Sequence, residues 1–258
     1  MKAVLSIPAR SRSARFPNKV MAPIEVGGET HPMLWYQVQR LRKSRAEVVI
    51  ATTEDVSDDP IAAFARDMKM RCVRGSTSDL IARHAKVARE TDADVLVLSG
   101  ADDPFLQAPL VDAVADLVSD EFPYAESVGF PLGMNCWAWT ADAMEEADRE
   151  SLNSDEREHV VPWFARRPLR YPRTTVTIEP SLYESHRLTV DFPQDLELVR
   201  RILGVLWPEN PDFRLDDILR VLEAFPDWMS LNRGAPQYLY DRSPLDAVHS
   251  WASVKGDL

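Results

Sequence analysis

Ala3-Val-Leu-Ser-Ile7 runs directly into Pro8-Ala-Arg-Ser-Arg-Ser-Ala-Arg-Phe-Pro-Asn-Lys19. The first five residues form a short apolar run, which predicts a buried strand. The polar, proline-containing segment behind it predicts the loop leaving that strand's carboxyl end. This loop gathers Arg10, Arg12, Arg15 and Lys19 in a chain whose formal net charge is -11. Cations so crowded repel one another unless an anion offsets them. In open α/β sheets ligands bind beyond the carboxyl ends of the strands, where this loop falls. Arginine forks match phosphate oxygens and lysine adds a point charge, so the segment predicts a triphosphate cradle. A solvated basic loop is the plainer alternative. The stretch is not a P-loop, because it holds no glycine and lacks the Gly-x-x-x-x-Gly-Lys spacing.

Strands and helices alternate outward from this loop. Pro32 opens a predicted helix with Leu34, Val38 and Leu41 on one face, and Val48-Val-Ile-Ala51 reads as a buried strand. Asp59-Pro60 reads as an N-cap and first-turn proline, followed by Ile61, Phe64, Ala65 and Met68 on one helical face. Arg71-Cys-Val-Arg74 is a short strand, Asp79 caps a helix bearing Leu80, Ala82, Val87 and Ala88, and Val95-Leu-Val-Leu98 is the next strand. A helix through Leu110, Val114 and Leu117 completes the run, which predicts a parallel sheet covered by helices. Further strands over 124–130, 134–140 and 170–179 add mixed or antiparallel sheet, and Asp142 to Glu150 form a helix with a solvated face. Most tryptophans read as core or interface residues. Trp137 and Trp139 share a strand, so one of them is a candidate to face a ligand. The prolines are scattered and no linker or repeat interrupts the chain, so one domain is expected.

Composition limits the function classes. With 258 residues, 45% hydrophobic and 28% charged, the chain has ample core. Its acidic balance argues against a general nucleic-acid binder. No apolar run approaches the ~20 residues that span a membrane, and the N-terminus lacks a signal pattern. The two cysteines, Cys72 and Cys136, lie far apart, and the five histidines show no metal-ligand spacing. A reducing cytoplasm is the expected location.

Two further segments carry chemistry. Ser99-Gly-Ala-Asp-Asp-Pro104 places two carboxylates at the exit of the fourth strand. A divalent cation would relieve their repulsion, and Mg²⁺ characteristically takes one or two carboxylates plus substrate phosphates. An Asx-type turn before Pro104 is the structural alternative. In Arg187-Leu-Thr-Val-Asp191, Leu188 to Val190 reads as a strand with Asp191 at its exit, followed by a helix from Pro193 bearing Leu196, Leu198, Val199 and Ile202. Asp191 is also a plausible N-cap. If that strand lies beside the fourth one, Asp102 and Asp191 approach one cation from two sides.

In these residues the chain resembles the cytidylyltransferases of the spore-coat-polysaccharide type, relatives of the CMP-KDO and CMP-acylneuraminate synthetases. The resemblance runs from Ile7-Pro-Ala-Arg10 and Ser13-x-Arg15-x-Pro17-x-Lys19 through Ala51-Thr-Thr53, Asp59-Pro-Ile-Ala62, Arg74-Gly-Ser76 and Asp79. It continues in Asp102-x-Pro104, Glu156-Arg-Glu-His-Val160, Arg187-Leu-Thr-Val-Asp191 and Phe213-Arg-Leu-Asp-Asp-Ile218. It implies a glycosyltransferase-A-like, Rossmann-like nucleotidyltransferase sheet in three α/β/α layers, a single domain over 1–258. Residues 1–120 would mainly bind nucleotide, and 121–258 would supply the acceptor side and C-terminal helices. By the same likeness Pro8, Ala9, Arg10, Ser13, Arg15 and Lys19 would hold the triphosphate of CTP. Thr52, Arg74, Gly75 and Ser76 would surround cytosine and ribose, with Asp102 beside the nucleotide. Asp102 and Asp191 match the family's metal positions, implying Mg²⁺. Arg157, His159 and Arg187 would line the acceptor pocket and a homodimer is implied, while Asn135 is an acceptor-side candidate outside the likeness.

The pattern also departs from the family. The glycine usual before the signature lysine is Asn18, and the usual Gly-Asp-x-Pro reads Gly100-Ala-Asp-Asp-Pro104, which leaves Asp103 as a rival ligand. An acidic acceptor-side stretch is replaced by Pro131-Leu-Gly-Met-Asn135-Cys-Trp-Ala-Trp139. The expected reaction is attack of an acceptor oxygen on the α-phosphorus of CTP with pyrophosphate leaving. Arg10, Arg15 and Lys19 would stabilise the charge, and His159 would serve as base if the acceptor is a hydroxyl. Arg157 and Arg187 favour an anionic acceptor: a sugar acid, a polysaccharide precursor or a small phosphonate. A metal-dependent glycosyltransferase and a non-catalytic nucleotide-binding protein are the alternatives. The aromatic segment from Tyr238 and Tyr240 to Trp251 is expected to cover a partner subunit.

Overall fold

In the computed structural model, which describes residues 1–236 and the backbone of 247–250, the four apolar runs form the parallel half of one sheet. β1 (Ala3–Pro8) pairs in parallel with β4 (Glu47–Thr53) on one side and with β6 (Val95–Leu98) on the other, and β5 (Arg71–Gly75) flanks β4. β8 (Trp137–Thr140) is antiparallel to β6 and to β7 (Tyr124–Val128). β9 (Arg173–Thr177) and β10 (Ala247–Ser250) extend the edge in parallel beyond β7. The sheet is therefore mixed, with eight strands.

Alternation along each strand assigns side chains to two cores. Leu5, Ile7, Ile50, Val95 and Val97 pack on one face, against α1 (Met33–Leu41), α2 (Asp59–Asp67), α4 (Ala108–Asp116), α8 (Pro193–Leu206) and α9 (Leu215–Ala224). Val4, Val49, Ala51, Leu96 and Leu98 pack on the other, against α3 (Leu80–Thr91), α5 (Ala141–Glu150), and α7 (Val161–Ala165), which follows the short α6 (Ser154–His159). Helices on both faces make the three layers expected. Trp139 is fully buried and stacks on Tyr124 and Phe164, in keeping with its core reading.

The structure corrects several local expectations. Leu188 to Val190 is not a strand. Leu132 and Arg187 form an isolated bridge, and Leu188 N donates to Leu132 O at 2.7 Å while Val190 N donates to Asp102 O at 2.9 Å. The segment is extended but its donors go to two loops, so it joins no sheet and does not lie beside β6. Asp59 is the first residue of α2, and the cap position is Asp58. The second-half strands are shorter than their expected runs, and β7 stops at Val128 because Gly129 (φ +83°) turns the chain out of extended geometry. A hairpin of β2 (Pro23–Val26) and β3 (Glu29–Pro32) was not anticipated, although its two-residue connection is Gly27-Gly28, with φ of 63° and 84°. No helix among the described residues is long and apolar enough to cross a membrane. Tyr238, Tyr240 and Trp251 lie outside the described residues.

Candidate active site

With Ser6 opposite Leu98, β1 and β6 deliver their exit loops side by side. The arginine-rich loop is closed by Asn18 N donating to Ser11 O at 2.8 Å, and Asp58 accepts from Ser11 N at 2.6 Å. Asn18 adopts φ 59°. Asparagine tolerates this left-handed conformation better than most residues, so replacing the usual glycine preserves the turn that delivers Lys19.

Lys19 is nearly buried, and its Nζ lies 2.5 Å from Asp102 Oδ2 and 3.0 Å from Asp191 Oδ1. Burial opposes its charge, but the two carboxylates outweigh it and hold the ammonium above its usual pKa. Arg15 Nη2 sits 2.6 Å from Asp191 Oδ1. Asp191 is itself pushed up by burial, yet Lys19, Arg15 and Arg187 pull its carboxyl below the usual range. The chain brings Arg15 and Lys19 of the first loop onto the acids of two distant segments, whereas Arg10 pairs with Glu158 and Arg12 with Asp55.

Asp191 is held from behind. Asp195 accepts from the backbone N–H groups of Asp191 at 2.9 Å and Phe192 at 2.8 Å, so Asp195 caps α8 and leaves the Asp191 carboxylate facing Lys19. Arg187 bridges the two acids, with Nε 2.9 Å from Asp195 Oδ1 and Nη2 3.0 Å from Asp191 Oδ2. The inserted residue before Asp102 is accommodated by Gly100, where a Cβ would stand 2.2 Å from Asp102 Oδ1. Asp102 is the acid that shares the Lys19 ammonium with Asp191. Asp103 is buried instead, and burial together with Asp102 raises its pKa well above the carboxylate range.

Two cavities meet at this cluster. One, of about 400 Å³, is walled by Pro8, Arg10, Ser13, Arg15 and Lys19 on one side and by Thr77, Ser78 and Arg83 on the other. The second, of about 550 Å³, reaches Asn135, Trp137, His159, Arg187 and Thr189. Arg15, Asp102 and Asp191 line both, so the acid pair stands at the junction.

Other expected residues do not reach either cavity. Ala9 is buried in the core, its N–H given to Ala51 O at 3.1 Å. Thr52 is fully buried within β4. Arg74 donates to Thr53 O at 2.7 Å, Asp59 at 2.7 Å and Asp55 O at 2.9 Å, bracing the loop after β4. Gly75 packs on Arg83, whose Cγ would be 3.1 Å from an added Cβ, and Ser76 O accepts from Arg83 Nη2 at 2.6 Å. The cavity wall at this loop is thus Thr77 and Ser78 rather than Ser76. Arg157 is also elsewhere: its Nη1 contacts Asp79 at 2.5 Å and Asp148 at 3.3 Å, and its Nε donates to Ser151 O at 2.9 Å, tying α6 to α3 and α5. Arg83 was missed because a lone arginine one turn into a helix looks like surface charge. It is nevertheless buried, and desolvation lowers its pKa to about 10.

This arrangement, a mixed sheet whose β1 exit loop brings Arg15 and Lys19 onto Asp102 after β6 and Asp191 before α8, suits a nucleotidyltransferase. Residues 4–221 match the cytidylyltransferase family model, and the chain belongs to that family. It is similar to the spore coat polysaccharide biosynthesis protein SpsF of Bacillus subtilis, 27% identical over 231 residues, covering 86% of this chain and 94% of that one. It is also similar to a 3-deoxy-manno-octulosonate cytidylyltransferase of Geobacter metallireducens, 34% identical over 123 residues, 46% of each chain. Among solved structures, a cytidylyltransferase from Leptospira borgpetersenii superposes with a TM-score of 0.82 at 25% identity, over 93% of this chain and 100% of that one. The protein is a CTP-dependent cytidylyltransferase.

Proposed function

We propose that the chain transfers CMP from Mg²⁺-bound CTP in the first cavity to a small acceptor in the second, releasing pyrophosphate. The observation that carries this reading is the contact of Lys19 and Arg15 with Asp102 and Asp191 at the junction of the two cavities. The donor set suits Mg²⁺, which takes one or two carboxylates and completes its shell with phosphate oxygens. Asp102 and Asp191 would hold the ion, which supplies charge neutralisation and Lewis acidity at the phosphates.

The protein's own groups do the rest by positioning and electrostatics. Lys19 and Arg15 turn from the carboxylates to the triphosphate, where Arg10 and Ser13 line the same wall. Arg187 and Asp195 keep Asp191 aimed at the junction. His159 lines the second cavity, which supports it as the base that takes a proton from a hydroxyl acceptor; an ionised acceptor needs no base. The anionic acceptor favoured by Arg157 and Arg187 loses that support, since Arg157 braces helices and Arg187 is engaged by two acids. A homodimer belongs to the proposal through the family likeness, and a cytoplasmic location through the two distant cysteines of the sequence.

Pyrophosphate release compared across CTP, UTP, GTP and ATP, with Mg²⁺ and a panel of acceptors, tests the reading. CTP is expected to support turnover well above the others. Equal rates with another nucleotide, or CTP binding with no pyrophosphate release under any acceptor, would contradict it.

A further inference from the structure

Among the described residues, every arginine that lines the second cavity is already held by a carboxylate. Arg187 is bound to Asp191 and Asp195, and Arg15 to Asp191. Arg173 Nη1 lies 2.8 Å from Glu126 Oε1, with both side chains 6% exposed. Glu126 also accepts from Tyr124 Oη at 3.1 Å and Trp137 Nε1 at 3.2 Å. Drawing Arg173 away to an incoming anion would therefore strand a buried carboxylate, which is strongly unfavourable. Glu158 lines the same space and adds a carboxylate.

Asn135 stands in this wall at 4% exposure, and its amide oxygen and nitrogen are both buried with no hydrogen-bond partner among the described residues. Buried amides are normally paired, so an unpartnered amide on a residue that lines this cavity points to a ligand that completes it as it binds.

We infer that the acceptor is an uncharged, hydroxyl-rich molecule, with neighbouring hydroxyls accepting from and donating to the amide of Asn135. The inference rests on the nucleotide reading above, which directs Arg15 and Lys19 to the triphosphate and away from the acceptor. A hydroxyl oxygen of the acceptor forms the bond to the α-phosphorus. The bond from that phosphorus to the bridging oxygen breaks, and pyrophosphate leaves with the electron pair. The hydroxyl proton passes to His159, whose side chain is 36% exposed, and from there to water.

The test uses the full chain with Mg²⁺ and CTP, and reads pyrophosphate release with size-matched acceptors: uncharged sugars and alditols, sugar acids, sugar phosphates and alkylphosphonates. The highest kcat/KM is expected in the uncharged arm; a higher value for any anionic acceptor overturns the inference. Asn135→Leu is expected to raise KM for the best uncharged acceptor by about tenfold or more, as losing a paired polar contact does, with CTP affinity by calorimetry unchanged. Asn135→Asp keeps the volume but loses the amide donor and buries a charge, so it is expected to raise that KM as well. An unchanged KM in Asn135→Leu overturns the role of the amide. Absence of CTP binding to the wild-type chain would instead overturn the nucleotide reading beneath it.

Discussion

Lys19 is the residue on which the chemistry turns, since one ammonium touches both acids of the junction. Lys19→Ala is expected to lower turnover by about a hundredfold or more, as loss of a preorganised charge at a reacting phosphate does, with the far-ultraviolet circular dichroism unchanged. Unchanged kinetics would refute its role. His84 affords a prediction of a different kind. It is fully buried, with Nδ1 2.7 Å from Ser6 Oγ and Nε2 without a partner among the described residues. Burial, helped by the charge of Arg83, lowers its pKa to about 3. The unfolded chain binds a proton here near pH 6.5, whereas the folded chain does not. Stability from this group is therefore complete above that pH and is lost as pH falls toward 3. Denaturation at pH 7 and pH 5 is expected to differ by about 2 kcal/mol from this residue, a difference that His84→Gln removes. The lysine was legible from sequence because cations crowd its loop. The histidine was not, because nothing local reveals that α3 buries it against β1.

At the scale of elements, the extended run from Arg187 to Asp191 shows why reading the sequence locally has limits. Its residue types match a strand, yet its partners are the loop at Leu132 and the carbonyl of Asp102. Both lie far away in sequence, so no local pattern announces them. Gly133 permits this clasp: at φ +97° a Cβ would stand 2.2 Å from Thr189 N. Gly133→Ala is expected to destabilise the fold by about 2 kcal/mol or more, read by urea denaturation, and to weaken catalysis by displacing Asp191. Arg157 gives the opposite test. Its bonds join α6 to α3 and α5, outside both cavities, so Arg157→Ala is expected to lose about 2 kcal/mol of stability. The KM for CTP and acceptor should stay within about twofold, and a selective rise in acceptor KM would restore the role the family pattern implied.

Over the whole molecule, the parallel half of the sheet was readable because buried strands are short apolar runs punctuated by helical periodicity. The mixed half was less so, since the pairing of β8 between β6 and β7 depends on long-range register. The two cavities were beyond sequence altogether. Their common wall arises only when the exits of β1 and β6 meet the segment before α8. That meeting is the central claim, and CTP titrated calorimetrically into the wild-type chain and Asp191→Asn, each with and without Mg²⁺, tests it most directly. Mg²⁺ is expected to tighten CTP binding to the wild type, and Asp191→Asn to abolish most of that gain. CTP bound equally by both chains and indifferent to Mg²⁺ would contradict the account.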